Sequence, residues 1–181
     1  MTNIRLRTFI MHVEDLPGVL NRITSLFRRR GYNIESLAVG RTEVTGVSRM
    51  TIVMEADDDA ARRIEANLYK LVNVLRVEDT TWRPTVTREL ALIKVRTTQA
   101  TRADVLQLAE VFRARVIDVG PDALIFEITG TRDKVDSLAE VLAPYGVVEL
   151  VRTGAIAMVR SAVEPLEATP TVVEAPQTNA A

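Results

Sequence analysis

Few side chains in this sequence are equipped to make or break bonds. Its 181 residues include no Cys and a single His, His12. A Ser-His-Asp arrangement would need that His, and no nucleophile-elbow pattern accompanies it. The competing reading makes His12 a structural residue near a strand end. Without Cys there are neither disulfides nor thiolate metal ligands. Asp57-Asp58-Asp59 with one His does not make a ligand set. Three acids in a row suit the start of a helix, where negative charge is favoured. Neither a Walker A run nor Gly-x-Gly-x-x-Gly occurs. The expectation is no catalytic residue, no metal and no cofactor in this chain.

Binding by backbone groups is the chemistry left. Residues 15–18 read Asp15-Leu16-Pro17-Gly18, followed by Val19-Leu20 and an amphipathic run. A helix N-terminus offers unpaired N–H groups and a partial positive charge of roughly half a unit. Gly18 lets a ligand approach the backbone closely, and Pro17 sits where its missing N–H costs little. A small carboxylate is the natural guest. On spacing alone, a helix start with no ligand explains the same residues.

Other partners are disfavoured. The formal net charge is -1, so bulk electrostatics do not call for nucleic acid or an anionic membrane. Arg28-Arg29-Arg30 is a local exception, and a β-α-β-β-α-β fold can bind RNA. That mode stacks bases on sheet aromatics, and residues 49–55 contain none. No apolar run approaches the roughly 18 residues of a membrane span, and the first residues lack an apolar signal core. The expectation is a soluble cytoplasmic protein.

The elements that must position this turn follow from periodicity. Residues 4–13 read as a strand, and Val19, Leu20, Ile23, Leu26 and Phe27 as a helix stripe stopped at Gly31. Residues 33–42 and 49–55 form the second and third strands around a hairpin at Gly46. Ala61, Ile64, Leu68 and Leu71 line a second helix, and residues 72–79 a fourth strand. The order β-α-β-β-α-β is the split ferredoxin-like arrangement. Residues 82–85 break the pattern, which then repeats: a strand at 88–96, a helix opened by a capping box at residues 101–104, a hairpin of 115–119 and 123–129, and a helix through Val135, Leu138, Ala139 and Leu142. Residues 147–159 close as one long strand or a broken pair. The predicted fold class is α+β, with two tandem ferredoxin-like domains at 1–82 and 88–160, a linker at 83–87 and a disordered tail at 161–181. The tail is rich in Pro, Ala, Thr and Glu, without Lys or Arg.

Asp15-Leu16-Pro17-Gly18-Val19-Leu20 after a strand resembles the signature of ACT domains, small ferredoxin-like modules that bind amino acids. Three further runs narrow the match: Arg29-Arg30-Gly31-Tyr32-Asn33-Ile34-Glu35-Ser36-Leu37, Ser48-Arg49-Met50-Thr51-Ile52 and Arg88-Glu89-Leu90-Ala91-Leu92-Ile93-Lys94-Val95. Together they resemble the small regulatory subunit of acetolactate synthase over roughly residues 3 to 160. The resemblance implies a non-catalytic chain. Its partner would be a large catalytic subunit that carries thiamine diphosphate, magnesium and FAD and condenses two 2-oxo acids with loss of carbon dioxide. The small subunit would activate it and confer feedback inhibition by valine or another branched-chain amino acid.

The resemblance further implies a homodimer through the ACT domain with the effector at its interface. Asp15, Leu16, Gly18 and Val19 would come from one chain, and Asn33 and Ile34 of the partner subunit from the start of its second strand. N–H groups around Gly18 and Val19 would hold the carboxylate, Asp15 and Asn33 the ammonium, and Leu16 and Ile34 the aliphatic group. Many family members carry Asn where this chain has Asp15; an anionic Asp attracts the ammonium and repels the carboxylate. Another reading is a free-standing ACT-type amino-acid sensor acting on another protein. No helix-turn-helix or basic DNA-reading segment supports a transcriptional role.

Overall fold

The structure is a computed structural model that describes residues 4–160. The tail expected after residue 160 lies outside the described residues. The first half runs β1 (Arg5–Glu14), α1 (Val19–Arg29), β2 (Ser36–Arg41), β3 (Val47–Ala56), α2 (Asp58–Leu68) and β4 (Val74–Asp79). Its sheet is antiparallel, in the order β2-β3-β1-β4. The second half runs β5 (Thr85–Arg96), α3 (Arg102–Val111), β6 (Arg115–Val119), β7 (Ala123–Gly130) and α4 (Arg132–Leu142). It ends with a short 3₁₀ turn (Ala143–Tyr145), β8 (Val147–Arg152) and β9 (Ile156–Val159). The order β6-β7-β5-β8 repeats the topology of the first sheet. The chain is therefore α+β, with two tandem ferredoxin-like domains. Among the described residues no helix is long and apolar enough to cross a membrane.

Each domain has its own core, and the sequence periods explain it. On β1 and β3 the alternate residues Phe9, Met11, Val13, Met50, Ile52 and Met54 point to one face. There they meet Val19, Ile23, Leu26 and Phe27 of α1, spaced four, three and one apart along one helix stripe, and Ala60, Ala61, Ile64 and Leu68 of α2. In the second domain Ala91, Ile93, Val95, Leu124, Phe126 and Ile128 pack against Val105, Ala109, Val135, Leu138 and Leu142. The acidic run does what its composition suggested. Asp57 caps α2 by accepting from the Ala60 N–H at 2.7 Å. Asp58 pairs with the buried Arg7, and the hydrogen bond from Arg7 is the main reason its carboxyl lies below the ordinary value. Arg7 also reaches Asp79 at 3.4 Å, and Arg5 lies over the Trp82 ring at 4.3 Å.

The opposite face of the first sheet is also buried at Ile10, His12, Thr51 and Val53. β9 and the residues just before it pack here. Arg49 Nη2 donates to the Ala157 carbonyl at 2.6 Å, and the Ala155 N–H donates to Ser36 Oγ at 2.7 Å. Gly154 makes this approach possible: its φ is 82°, and a Cβ there would stand 2.9 Å from both the Leu37 carbonyl oxygen and Ser36 Oγ.

Several boundaries differ from the sequence reading. β2 begins at Ser36, so Asn33 and Ile34 precede the strand instead of opening it. α2 stops at Leu68, and Leu71 still packs on the core from the following loop. Residues 85–87, expected in the linker, are the start of β5, where Thr85 faces Val159 and Arg88 faces Ile156. Residues 147–159 form a broken pair along one edge of β5, interrupted at residues 153–155. The capping box expected at residues 101–104 does not form: the N-cap Thr101 makes no side-chain cap bond, and two threonines pair in the turn before α3. The Thr98 N–H donates to Thr101 Oγ1 at 3.0 Å, and the Thr101 N–H donates to Thr98 Oγ1 at 3.3 Å. The exchange is reciprocal, as in a capping box, but it precedes the helix instead of capping it.

Candidate functional site

The turn before α1 is built by β1 ending at Glu14. The Asp15 N–H donates to the Gly46 carbonyl at 2.8 Å, which ties the turn to the β2–β3 hairpin. Gly18 then enters the helix at φ 85° and ψ -8°, in the left-handed region that favours glycine. The Val19 side chain is buried and anchors the first turn, while Leu16 and Leu20 stay exposed beside it.

The entrance of α1 differs from those of the other three helices. Asp57 caps α2 and Thr131 caps α4 by accepting from the Lys134 N–H, whereas the N-cap Thr101 of α3 makes no side-chain cap bond and exchanges hydrogen bonds with Thr98 in the turn before the helix. No side chain caps α1. Its first turn also holds no acid, whereas those of α2, α3 and α4 hold Asp58 and Asp59, Asp104, and Asp133. Among the described residues, α1 is the helix whose N-terminus has neither a side-chain cap nor a first-turn acid. Such an end suits a carboxylate.

Asp15 is not a free carboxylate. Its Oδ2 accepts from Nε of Arg41, the last residue of β2, at 3.2 Å. The guanidinium offsets the charge that would otherwise repel a bound carboxylate. The sequence reading missed Arg41, because 26 positions separate the pair and only the sheet brings them together. Asn33 is exposed, and its Nδ2 donates to Glu35 Oε1 at 2.9 Å. Ile34 is half-buried against the core of its own domain.

The predicted residues fall into two groups that one chain does not bring together. Asp15, Leu16, Gly18 and Val19 follow the end of β1, level with Arg41, since Arg41 faces Ser48 and Ser48 faces Val13. Asn33 and Ile34 precede Ser36, which lies level with Val53 and Thr8. Five residues of strand, roughly 17 Å at about 3.3 Å per residue, separate the two levels. His12 stands apart from both groups. It is buried on the opposite face of the sheet, between Arg49 and Arg76 in the strand register. Burial is the main cause of its lowered pKa, with Arg49 and Arg76 adding to it and Glu43 opposing. Its Nδ1 finds no hydrogen-bond partner among the described residues.

Two tandem ferredoxin-like domains, the first opening α1 with a Pro-Gly turn and an uncapped N-terminus, define a protein of the ACT-domain class. Residues 9–76 match the "AHAS small subunit-like ACT domain" family, and residues 88–161 match the family "Small subunit of acetolactate synthase". A probable acetolactate synthase small subunit of Archaeoglobus fulgidus is 46% identical over 153 residues, 84% of this chain and 96% of that protein. The acetolactate synthase small subunit of Mycobacterium leprae is 46% identical over 160 residues, 88% of this chain and 95% of that protein. The crystal structure of the Thermotoga maritima small subunit superposes with a TM-score of 0.81 at 41% identity, over 88% of this chain and 99% of that one. The chain belongs to the acetolactate synthase small subunit family, and it is a regulatory subunit whose catalytic counterpart is a large subunit.

Proposed function

We propose that this chain activates an acetolactate synthase large subunit and makes it sensitive to valine or a related branched-chain amino acid. The large subunit would perform the thiamine-diphosphate-dependent condensation of two pyruvates to acetolactate and carbon dioxide. The observation that carries the effector reading is the open entrance of α1. It is uncapped and free of first-turn acid, and the Asp15–Arg41 pair stands beside it.

The effector site takes residues from two chains. β2 is an edge strand, and antiparallel pairing of two β2 strands about a two-fold axis near Ala38 reverses the ends of the partner. Asn33 and Ile34 of the partner subunit then stand near Gly18 and Arg41 of this one. N–H groups of α1 hold the effector carboxylate, and the free oxygen of Asp15 with the carbonyl of Asn33 of the partner subunit receives its ammonium. Leu16 and Ile34 of the partner subunit cover the aliphatic group. Burying an isopropyl group contributes roughly 2 kcal/mol. One methylene changes binding by about 1–3 kcal/mol, so pocket shape selects among valine, leucine and isoleucine.

The test is Gly18→Asp in a reconstituted complex with the large subunit. A carboxylate at the mouth of α1 blocks the effector by bulk and charge. The expected outcome is loss of valine inhibition with activation of the large subunit retained. Persistent inhibition would remove this turn from the effector site. Loss of activation as well would make the turn a docking element for the large subunit.

A further inference from the structure

We propose that the second domains also meet across this two-fold axis, through the groove where β9 stands against β2. The inference rests on the β2 pairing proposed above and extends the interface to a part of the molecule outside the ACT domain.

The groove encloses about 490 Å³. Its floor is the open face of the first sheet. Ala38 faces Thr51 and Gly40 faces Arg49 in the register, so these small residues share a face with the two β3 residues. Its wall is the β5–β9 ribbon. Val86 faces Met158 and Arg88 faces Ile156, while Ala155 and Ala157 alternate to the buried side. Ile156 and Met158 are left 61% and 66% exposed. Two large apolar side chains in register on an exposed ribbon call for a cover.

Three arginines border the groove, and each already has an acceptor. Arg49 donates to the Ala157 carbonyl, Arg88 to the Thr87 carbonyl at 2.8 Å, and Arg41 to Asp15. The groove therefore does not require an anionic ligand.

A second copy fits on three counts. The unpaired edge of β2 runs along the groove floor, and an open edge favours a strand. The axis that reunites the two halves of the effector site passes beside Ala38, at that floor. The two walls then face one another across a joint floor of small residues, and Ile156 and Met158 meet their own copies in an isologous contact. Charge agrees. The same pairing sets Arg41, 87% exposed, near Glu35 of the partner subunit.

The chain contains no Cys, so a single introduced thiol gives an unambiguous cross-link. Ala38→Cys probes the axis, and Ile156→Cys and Met158→Cys probe the walls, each with a short bismaleimide on the full-length protein. Cross-linked dimer from all three is the expected result. Dimer from Ala38→Cys with none from Ile156→Cys or Met158→Cys overturns this inference and leaves the β2 pairing standing. No dimer from any of them overturns the pairing itself and this inference with it. Ile156→Glu with Met158→Glu should also raise the dimer dissociation constant at least tenfold by sedimentation equilibrium; an unchanged constant overturns the wall contact.

Discussion

α1 and α3 occupy the same place in two copies of one topology, and their entrances differ. α3 is preceded by two threonines that exchange hydrogen bonds, with Asp104 in its first turn. α1 is entered through a left-handed glycine, with no cap and no acid. Both helices are fixed by the apolar side chains they bury, so packing does not distinguish them. The difference lies in who satisfies the helix end. In the second domain Asp104 answers the helix dipole and two threonines close the preceding turn; in the first no side chain does either, and the Val19 N–H is met by the Leu16 carbonyl at 3.4 Å. On the function proposed above, one fold would serve as scaffold in the second domain and as receptor in the first, with the difference set by a few residues at a helix start.

Four experiments strain this comparison. The largest effects should come from the two cores. Phe27→Ala and Phe126→Ala remove fully buried rings, and each should cost about 3–5 kcal/mol in denaturant unfolding. If the domains are separate in function, Phe126→Ala leaves valine affinity within about twofold where the protein is still folded. A larger loss in titration calorimetry would join the second domain to the effector site.

The helix starts come next. Gly18→Ala meets no atom within 4 Å, so its cost is backbone strain, about 1–2 kcal/mol, accompanied by weaker valine binding. Thr98→Ala with Thr101→Ala should lose about 1 kcal/mol of stability and leave valine binding unchanged. Equal effects of the two on binding would end the distinction drawn here.

Arg41→Ala tests the neutralisation of Asp15. Exposed pairs contribute about 0–1 kcal/mol to stability, so the melting temperature should barely move. Valine affinity should fall several-fold, because an unpaired Asp15 repels the effector carboxylate. Tighter binding would mean that Arg41 competes with the ammonium for Asp15.

The smallest effect belongs to His12. Its folded pKa is lowered, mainly by burial, so the unfolded chain takes up the proton first as pH falls. Stability is complete above the unfolded value of about 6.5 and declines below it, toward the folded pKa. His12→Gln should flatten that part of the stability profile between pH 7.5 and 5.5, measured by urea midpoints. An unchanged slope would show that other groups carry the acid sensitivity.

The sequence by itself determined the two βαββαβ orders. Alternation at Phe9, Met11 and Val13, and the helical spacing of Val19, Ile23, Leu26 and Phe27, are local patterns that need no partner to be read. It also marked the Asp15 to Val19 turn, since a Pro-Gly pair ahead of an amphipathic run is a local signature of a helix start; the positive φ of Gly18 came from the structure. The start of β2, the end of α2 and the strand within residues 83–87 were set by pairing with distant segments, Val53 for one and Val159 for another. Only the tertiary structure decided that Arg41 sits on Asp15, that β9 seats against Ser36 and Arg49, and that Gly18 and Asn33 lie at opposite ends of one strand. These are facts about sheet register, which joins residues without regard to their separation in sequence. That register separates Gly18 from Asn33 within one chain, which is what the proposed two-chain site requires and what periodicity along the sequence does not contain.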